Sequence, residues 1–296
     1  MQSRVEVFLN QKSGSADGIG SQIVAGFRTL GVPCELVCIE PNMNITELAR
    51  KAGGQQDIVV VSAGGDGTAN SVAAGVVGTA ATLGILPVGT LNHFAKDLGI
   101  PLELDQAIVV IGHQHRSTVD TGEVNGQLFV NNSSVGIYPE IVTERERLKS
   151  SGMGKWLSLV LASFRAFLNF HQITIKLTVD GEQITRRTPL LFVGNNEYKL
   201  EGTRIGTRDR LDCGSLFVYL VPGLTRLGVL RIAFAAIFGK VKEVPNYEQF
   251  RVSECTVDLN QRMSRVSLDG EVRRIKGLLH YRIRPASLNV CTPGSD

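Results

Sequence analysis

No uninterrupted run of about 20 apolar residues, the length a helix needs to span a bilayer core, occurs anywhere in the chain. Residues 1–10 also lack a charged segment leading into an apolar one, so no secretory signal is expected. Cysteine is scarce: Cys34, Cys38, Cys213, Cys255 and Cys291 make an odd number without C-x-x-C spacing. That pattern argues against a disulfide framework and for reduced thiols in a cytoplasm. Neither sign of charge is in excess, since 31 Lys and Arg against 28 Asp and Glu leave a formal charge of +3. This is too little to argue for a nucleic-acid partner, and attraction to an anionic membrane would depend on where the basic residues cluster. Internal repeats and low-complexity tracts are absent too. What remains, 296 residues with 43% apolar and 20% charged, is the composition of a soluble globular protein with room for two domains.

The first part of the chain alternates strand and helix. Strands are expected at 4–9, 34–39, 58–62 and 83–87, and helices at 19–30, 46–52, from about Ala69, and at 105–111, with Asn44 or Thr46 near the cap of the second. Such alternation implies a doubly wound parallel α/β sheet. After about Ser117 the texture changes. Asn125-Gly126 and Asp180-Gly181 are favoured two-residue hairpin turns between alternating stretches. Further strands are expected at 216–221, 252–259, 265–268 and 279–283. The expected division is therefore 1–117, a nucleotide-binding α/β domain, and 118–296, a mainly antiparallel β domain whose last residues can return to the first. The active cleft is expected between them.

Two of the buried strands run into loops suited to an anion. The first is Gly64-Gly65-Asp66-Gly67-Thr68 and the second Pro87-Val88-Gly89-Thr90-Leu91-Asn92. Ligand loops of a parallel sheet lie at the carboxyl ends of its strands. Glycines there let the backbone approach an anion and tolerate positive φ, and amide groups at the following helix starts attract phosphate oxygens. Asp66 would repel that phosphate unless a cation bridges them, and magnesium suits the purpose. A plain strand-to-helix turn is the competing reading of either loop taken alone.

Together with Phe94-Ala95 and the upstream Asn10-Gln11-Lys12-Ser13-Gly14, these loops resemble the lipid kinases that carry a diacylglycerol kinase catalytic domain, a group that includes sphingosine and ceramide kinases. Asp269-Gly270-Glu271 resembles the same family's late acidic motif, so the resemblance reaches both halves of the chain. It implies a magnesium-dependent enzyme that moves the γ-phosphoryl group of ATP to a lipid hydroxyl. The lipid would be diacylglycerol or a relative, drawn from the membrane by a cytoplasmic protein that can sit at the inner membrane face. Asn10, Lys12, Ser13, Gly14, Gly64, Gly65, Gly67, Thr68, Gly89, Thr90 and Asn92 would surround the nucleotide, although a loop lysine such as Lys12 is as readily a solvated one. Asp66 would hold magnesium or orient phosphate, Glu271 would take the proton from the acceptor hydroxyl, and Asp120 matches an acidic residue near the transferred phosphate. A hairpin turn with solvated carboxylates is the alternative for 269–271.

Two positions depart from the family. His93 stands where many members carry Asp, which removes a carboxylate from the acceptor side. It either contacts substrate, where it could titrate near neutrality, or packs at a helix start. In Asp209-Arg210-Leu211-Asp212-Cys213-Gly214, Cys213 replaces the second acid of a segment that can hold a structural magnesium in relatives. Asp212 is then either a surviving metal ligand or part of a plain turn. Asn195 resembles a cleft-facing asparagine and otherwise makes an Asx turn. Residues 156–170 and 224–238 read as apolar helices, for internal packing or for an acyl chain. His113 and His115 have strand-like metal spacing without further ligands, or end a helix in solvent. NAD kinase, which shares a Gly-Gly-Asp-Gly-Thr loop, and a catalytically silent lipid- or nucleotide-binding module are the rival functions.

Overall fold

The computed structural model describes residues 4–11, 18–150, 154–168, 171–200, 206–228 and 246–294. It divides into two compact units: residues 1–121 with 210–212 and 285–296, and residues 122–209 with 213–284.

The first unit contains β1 (Arg4–Leu9), α1 (Ile19–Thr29), β2 (Cys34–Cys38), α2 (Ile45–Gly53), β3 (Ile58–Ala63), α3 (Asp66–Val76), β4 (Thr82–Leu86), α4 (His93–Asp97), α5 (Leu104–His113) and the start of β5 (Arg116–Val124). Strands β2, β1, β3 and β4 pair in that order, all parallel. β3 is Ile-Val-Val-Val-Ser-Ala and every residue of it is buried, as expected of a central strand covered on both faces. Asn44 caps α2 by accepting the Glu47 amide. Helix α3 begins at Asp66, three residues earlier than expected, because extended Gly65 forms its cap and accepts the Thr68 and Ala69 amides.

The second unit holds β6 (Gln127–Phe129), β7 (Asn132–Gly136), α6 (Ile137–Ser150), α7 (Lys155–Leu168), β8 (Ile173–Val179), β9 (Glu182–Thr188), β10 (Leu190–Asn195), β11 (Leu216–Leu220), β12 (Glu248–Val252), β13 (Glu254–Asp258), β14 (Met263–Leu268), β15 (Glu271–Lys276) and the first part of β16 (Leu279–Cys291). One antiparallel sheet runs β12-β11-β10-β7-β14-β15. The other joins β16, β13, β8 and β9. Val135, Leu191, Val218 and Val266 of the first sheet share a buried core with Ile175, Leu177, Val257 and Leu279 of the second. That is the mixed α/β architecture anticipated, a parallel sheet with helices followed by antiparallel β structure.

Two strands differ from expectation for identifiable reasons. The stretch 252–259 is not one strand: Val252 ends β12, Glu254 opens β13 in the other sheet, and the Ser253 carbonyl between them accepts the Ile283 amide. β16 runs eight residues past the expected end. Ala286 sits at φ 47°, a local kink, after which Asn289 and Val290 pair in parallel with Thr82 and Leu83 of β4. The chain's end thus becomes the fifth strand of the first unit's parallel sheet.

Candidate active site

In the first unit the two glycine loops touch. A Cβ on Gly89 would lie 2.3 Å from the Gly65 Cα, 2.9 Å from its nitrogen and 2.7 Å from Asn92 Oδ1. Close backbone approach therefore explains these glycines. The expected use of positive φ is corrected: Gly64, Gly65, Gly67 and Gly89 are absent from the left-handed region, and Asn92, at φ 51°, is the residue that enters it. Its side chain closes the second loop by donating to the Pro87 and Gly89 carbonyls, each at 3.0 Å. Gly89→Ala forces one backbone off another, and should cost about 1–3 kcal/mol, read as a lowered thermal midpoint. A midpoint equal to that of the unaltered protein would show that the loops are free to part.

Asp66 lies in the first turn of α3, and its Oδ1 accepts the Phe94 amide of α4 at 3.3 Å. A carboxylate at a helix start is favoured by the amide dipoles, and here it ties the starts of α3 and α4 together. Thr68 is buried, and its Oγ1 accepts from Asn10 Nδ2 at 3.1 Å. Asn10 is itself fixed to β3 by its backbone N–H, which donates to the Ala63 carbonyl at 2.9 Å. Asn10, Gly64, Gly65, Asp66, Thr68, Gly89 and Asn92 thus gather at the ends of β1, β3 and β4. Lys12, Ser13 and Gly14 lie outside the described residues. His93 opens α4 with an exposed side chain. Asp120 is buried, and its Oδ1 accepts the Ala286 amide at 2.9 Å, at the kink of β16.

The late acidic motif is a hairpin turn, Asp269 at φ 49° and Gly270 at φ 85°, with Leu268 paired to Glu271 across it. Its two carboxylates live differently. Glu271 is half-exposed and accepts from Arg273 Nη2 at 2.8 Å. The Asp269 carboxylate is not solvated: it takes the amides of Val130, Asn131 and Asn132, each at 2.8 Å. The carbonyl side of the same segment is held by Arg208, which donates to the Val130 carbonyl at 2.8 Å and to Asn131 Oδ1 at 2.6 Å. Arg208 also reaches the Asn195 carbonyl at 3.0 Å, and Asn195 Nδ2 donates to Val130 at 2.8 Å. Asn195 is therefore a buried structural residue within this unit.

Burial pushes the Asp269 carboxyl up to about 6, against the pull of three backbone amides and the Arg208 charge. A carboxyl raised in the folded state favours the fold while protonated. Its contribution is complete below about pH 4 and is lost as pH rises through about 6, a change on the order of 2–3 kcal/mol. Subtracting the stability of Asp269→Asn from that of the parent at each pH should leave a difference that falls across this window and is flat above it. A difference without slope between pH 4 and 7 would refute the assignment.

Neither Arg208 nor the Val130–Asn132 segment was found from sequence. The available signal was the pair of Asn-Asn dipeptides, 131–132 and 195–196, at strand ends, where buried amides demand partners. Fit to a metal differs between the two acids proposed for it. Asp66 offers a carboxylate oxygen next to helix starts that favour phosphate, so a cation between the two would have oxygen ligands from each. Asp212 does not fit: it is exposed and bonded to Arg210 Nε at 2.9 Å, which holds its carboxyl below the usual range. In the other unit the Cys213 carbonyl and Ser215 Oγ accept from Arg251, at 3.3 and 3.0 Å. Guanidinium groups already occupy those oxygens. His113 ends α5, its ring edge-to-face with His115 at 6.1 Å, and among the described residues no group of three or more His, Cys, Asp or Glu side chains converges on a metal position.

Helix α7 falls where an apolar helix was expected. Ser158 and Ala162 are buried, and Arg165 pairs with Glu144 of α6, the helix that α7 packs against. Residues 229–238 of the second expected apolar helix lie outside the described residues. Among the described residues no helix is long and apolar enough to cross a membrane.

Comparison with known proteins accords with this geometry. Residues 4–124 match the family described as diacylglycerol kinase catalytic domain, and residues 140–292 the YegS C-terminal NAD kinase beta sandwich-like domain. The diacylglycerol kinase of Bacillus subtilis (strain 168) is 26% identical over 230 residues, which is 76% of this chain and 75% of that protein. That of Staphylococcus saprophyticus is 27% identical over 239 residues, 77% of this chain and 76% of that one. A crystal structure of a diacylglycerol kinase from Bacillus anthracis str. Sterne superposes with TM-score 0.72 at 18% identity, covering 98% of this chain and 97% of that one. A second structure from that organism gives TM-score 0.80 at 21% identity, covering 98% and 95%; both likenesses establish the fold. The contact of two glycine loops around Asp66, continued by a matching β domain, makes the chain a phosphotransferase belonging to the diacylglycerol kinase catalytic-domain family.

Proposed function

We propose that this kinase transfers the γ-phosphoryl group of ATP to the hydroxyl of diacylglycerol or a closely related membrane lipid. The observation that carries the reading is the contact of the Gly65 and Gly89 backbones beside Asp66, where α3 and α4 both begin. Phosphoryl transfer asks a protein mainly to position a triphosphate and offset its charge. Backbone amides at the loop and helix starts can do the first. Magnesium held by Asp66 supplies the second when bound, by drawing charge from the phosphate oxygens. Asn10, Gly64, Gly65, Gly67, Thr68, Gly89, Thr90 and Asn92 are the nucleotide contacts in this reading, with Lys12, Ser13 and Gly14 completing them.

Glu271 is the proposed general base. Its half-exposed carboxylate is restrained by Arg273 and follows a turn anchored through Asp269, so it can accept a proton from an incoming hydroxyl. Asp120 is assigned to the neighbourhood of the transferred phosphate. The membrane is then a source of substrate for a cytoplasmic protein. The test is transfer of label from ATP in the presence of magnesium to a total lipid extract in detergent, with NAD and free sugars in parallel. Label in the organic phase that disappears with Asp66→Asn supports the reading. Label on NAD overturns it in favour of an NAD kinase, and ATP binding without any transfer points to a silent binding module.

A further inference from the structure

In the β14–β15 hairpin Arg265 lies directly opposite Arg274. Their neighbours Val266 and Ile275 turn into the core shared by the two sheets, so alternation along each strand sends both arginine side chains to the other face. That face meets α6: Arg265 lines a groove of about 390 Å³ together with Glu140, Thr143, Glu144 and Arg147 of α6 and Arg165 of α7. Like charges directly opposite one another weaken a strand pair. Both arginines are exposed, and among the described residues neither side chain has a hydrogen bond or an ion pair to offset the repulsion. The carboxylates of the groove are engaged elsewhere. Glu144 is held by Arg147, at 2.9 Å, and by Arg165, whose hydrogen bonds bring its carboxyl down to about 2, so it stays ionised and divided between two cations. Glu140 faces His171 at 3.7 Å. Counting Arg274, four arginines stand against two carboxylates, an excess of two positive charges at one concave surface even with His171 neutral.

We propose that Arg265 and Arg274 form a binding site for a phosphate group, carried by a lipid headgroup or by free phosphate, on the sheet side of the α6–α7 groove. A guanidinium fork matches one edge of a phosphate. Phosphate has oxygens enough to face two forks at once, whereas a carboxylate lies in one plane and is filled by one. The groove is at the small end of ligand pockets, with room for a phosphate and a short polar group. Arg274 is three residues from Glu271, about 10 Å along β15, so this site is separate from the proposed general base. An anion bound there would join α6 to the hairpin whose turn carries Glu271.

The experiment titrates inorganic phosphate into the parent protein, Arg265→Gln and Arg274→Gln by calorimetry at constant ionic strength. In parallel, each protein is sedimented with phosphatidylcholine vesicles that contain or lack phosphatidic acid, whose headgroup is a phosphate monoester. Both substitutions fall on exposed side chains and relieve a like-charge pair, so each variant without ligand should unfold at or above the parent's midpoint. Affinity for the probe that the parent binds should fall about tenfold or more in each variant, the loss expected for a hydrogen bond to a charged group. A loss seen with inorganic phosphate assigns the site to the free anion, and a loss confined to the phosphatidic acid vesicles assigns it to a lipid headgroup; either supports the proposal. Parent-like affinity in either variant places the binding elsewhere on the protein and overturns it, as does a parent that binds neither probe.

Discussion

Asp66→Asn is expected to cut turnover with lipid and ATP by about a thousandfold while leaving the fold intact, because a lost cation forfeits several kcal/mol of transition-state charge stabilisation. Stability should hold because the asparagine Oδ1 still accepts the Phe94 amide that ties α4 to α3. What disappears is the negative charge, and with it, in the proposed role, the means of holding magnesium against phosphate. Glu271→Gln should behave differently. Loss of a general base typically costs about 10²–10⁴-fold in rate, and the effect should fall on kcat with ATP affinity nearly unchanged, since in the proposed role the residue serves the acceptor. The two variants therefore separate by nucleotide binding: isothermal titration should show weakened magnesium–ATP binding for Asp66→Asn alone. Equal losses of ATP affinity in both would contradict the division of roles, and parent-like turnover in Glu271→Gln would remove it from the chemistry.

The features that sequence made legible were those whose chemistry is local. A buried run of Ile-Val-Val-Val ending in Gly-Gly-Asp-Gly announces a central strand and a ligand loop at its end, because backbone freedom, helix start and charge sit within a few residues. The Asn-Gly and Asp-Gly hairpins were legible for the same reason, each demanding left-handed residues that the pair supplies. Asp269 resisted such reading. Its turn was expected, but with a solvated carboxylate, whereas that carboxylate accepts three backbone amides. Its three donors lie 137–139 residues earlier in the chain, and nothing near Asp269 encodes them. The single run expected at 252–259 failed because the alternation slips only once, at Ser253-Glu254 between Val252 and Cys255, and that slip is where the chain changes sheets. Hydrophobic pattern records which face is buried, without the identity of the partner strand. Arg208 was invisible for a third reason: a lone arginine in a loop ordinarily reads as solvated.

That arginine is where the largest loss of stability is expected. Arg208 is only 4% exposed, and its guanidinium satisfies the carbonyls of Val130 and Asn195 and the Asn131 side chain, while its plane lies over the Tyr198 ring at 5.4 Å from the centroid. Arg208→Met keeps most of the apolar stem and removes every donor. Val130 would retain the Asn195 amide, but the Asn195 carbonyl and Asn131 Oδ1 would each lose this donor. Asp269 would stay buried without the nearby positive charge that favours its ionised form. Breaking a buried charged network of this kind costs about 3–5 kcal/mol, which for a unit of this size lowers the thermal midpoint by roughly 10 °C. Arg208→Lys should recover only part of it, because one ammonium cannot reproduce a planar fork reaching three acceptors. The two ends of the clamp also act on one segment, so Arg208→Met and Asp269→Asn combined should cost less than the sum of the single changes. Additive losses would mean that the two side chains hold the Val130–Asn132 segment independently. A shift below about 1 kcal/mol for Arg208→Met, the scale of an ordinary surface substitution, would show that the arginine does not hold it at all.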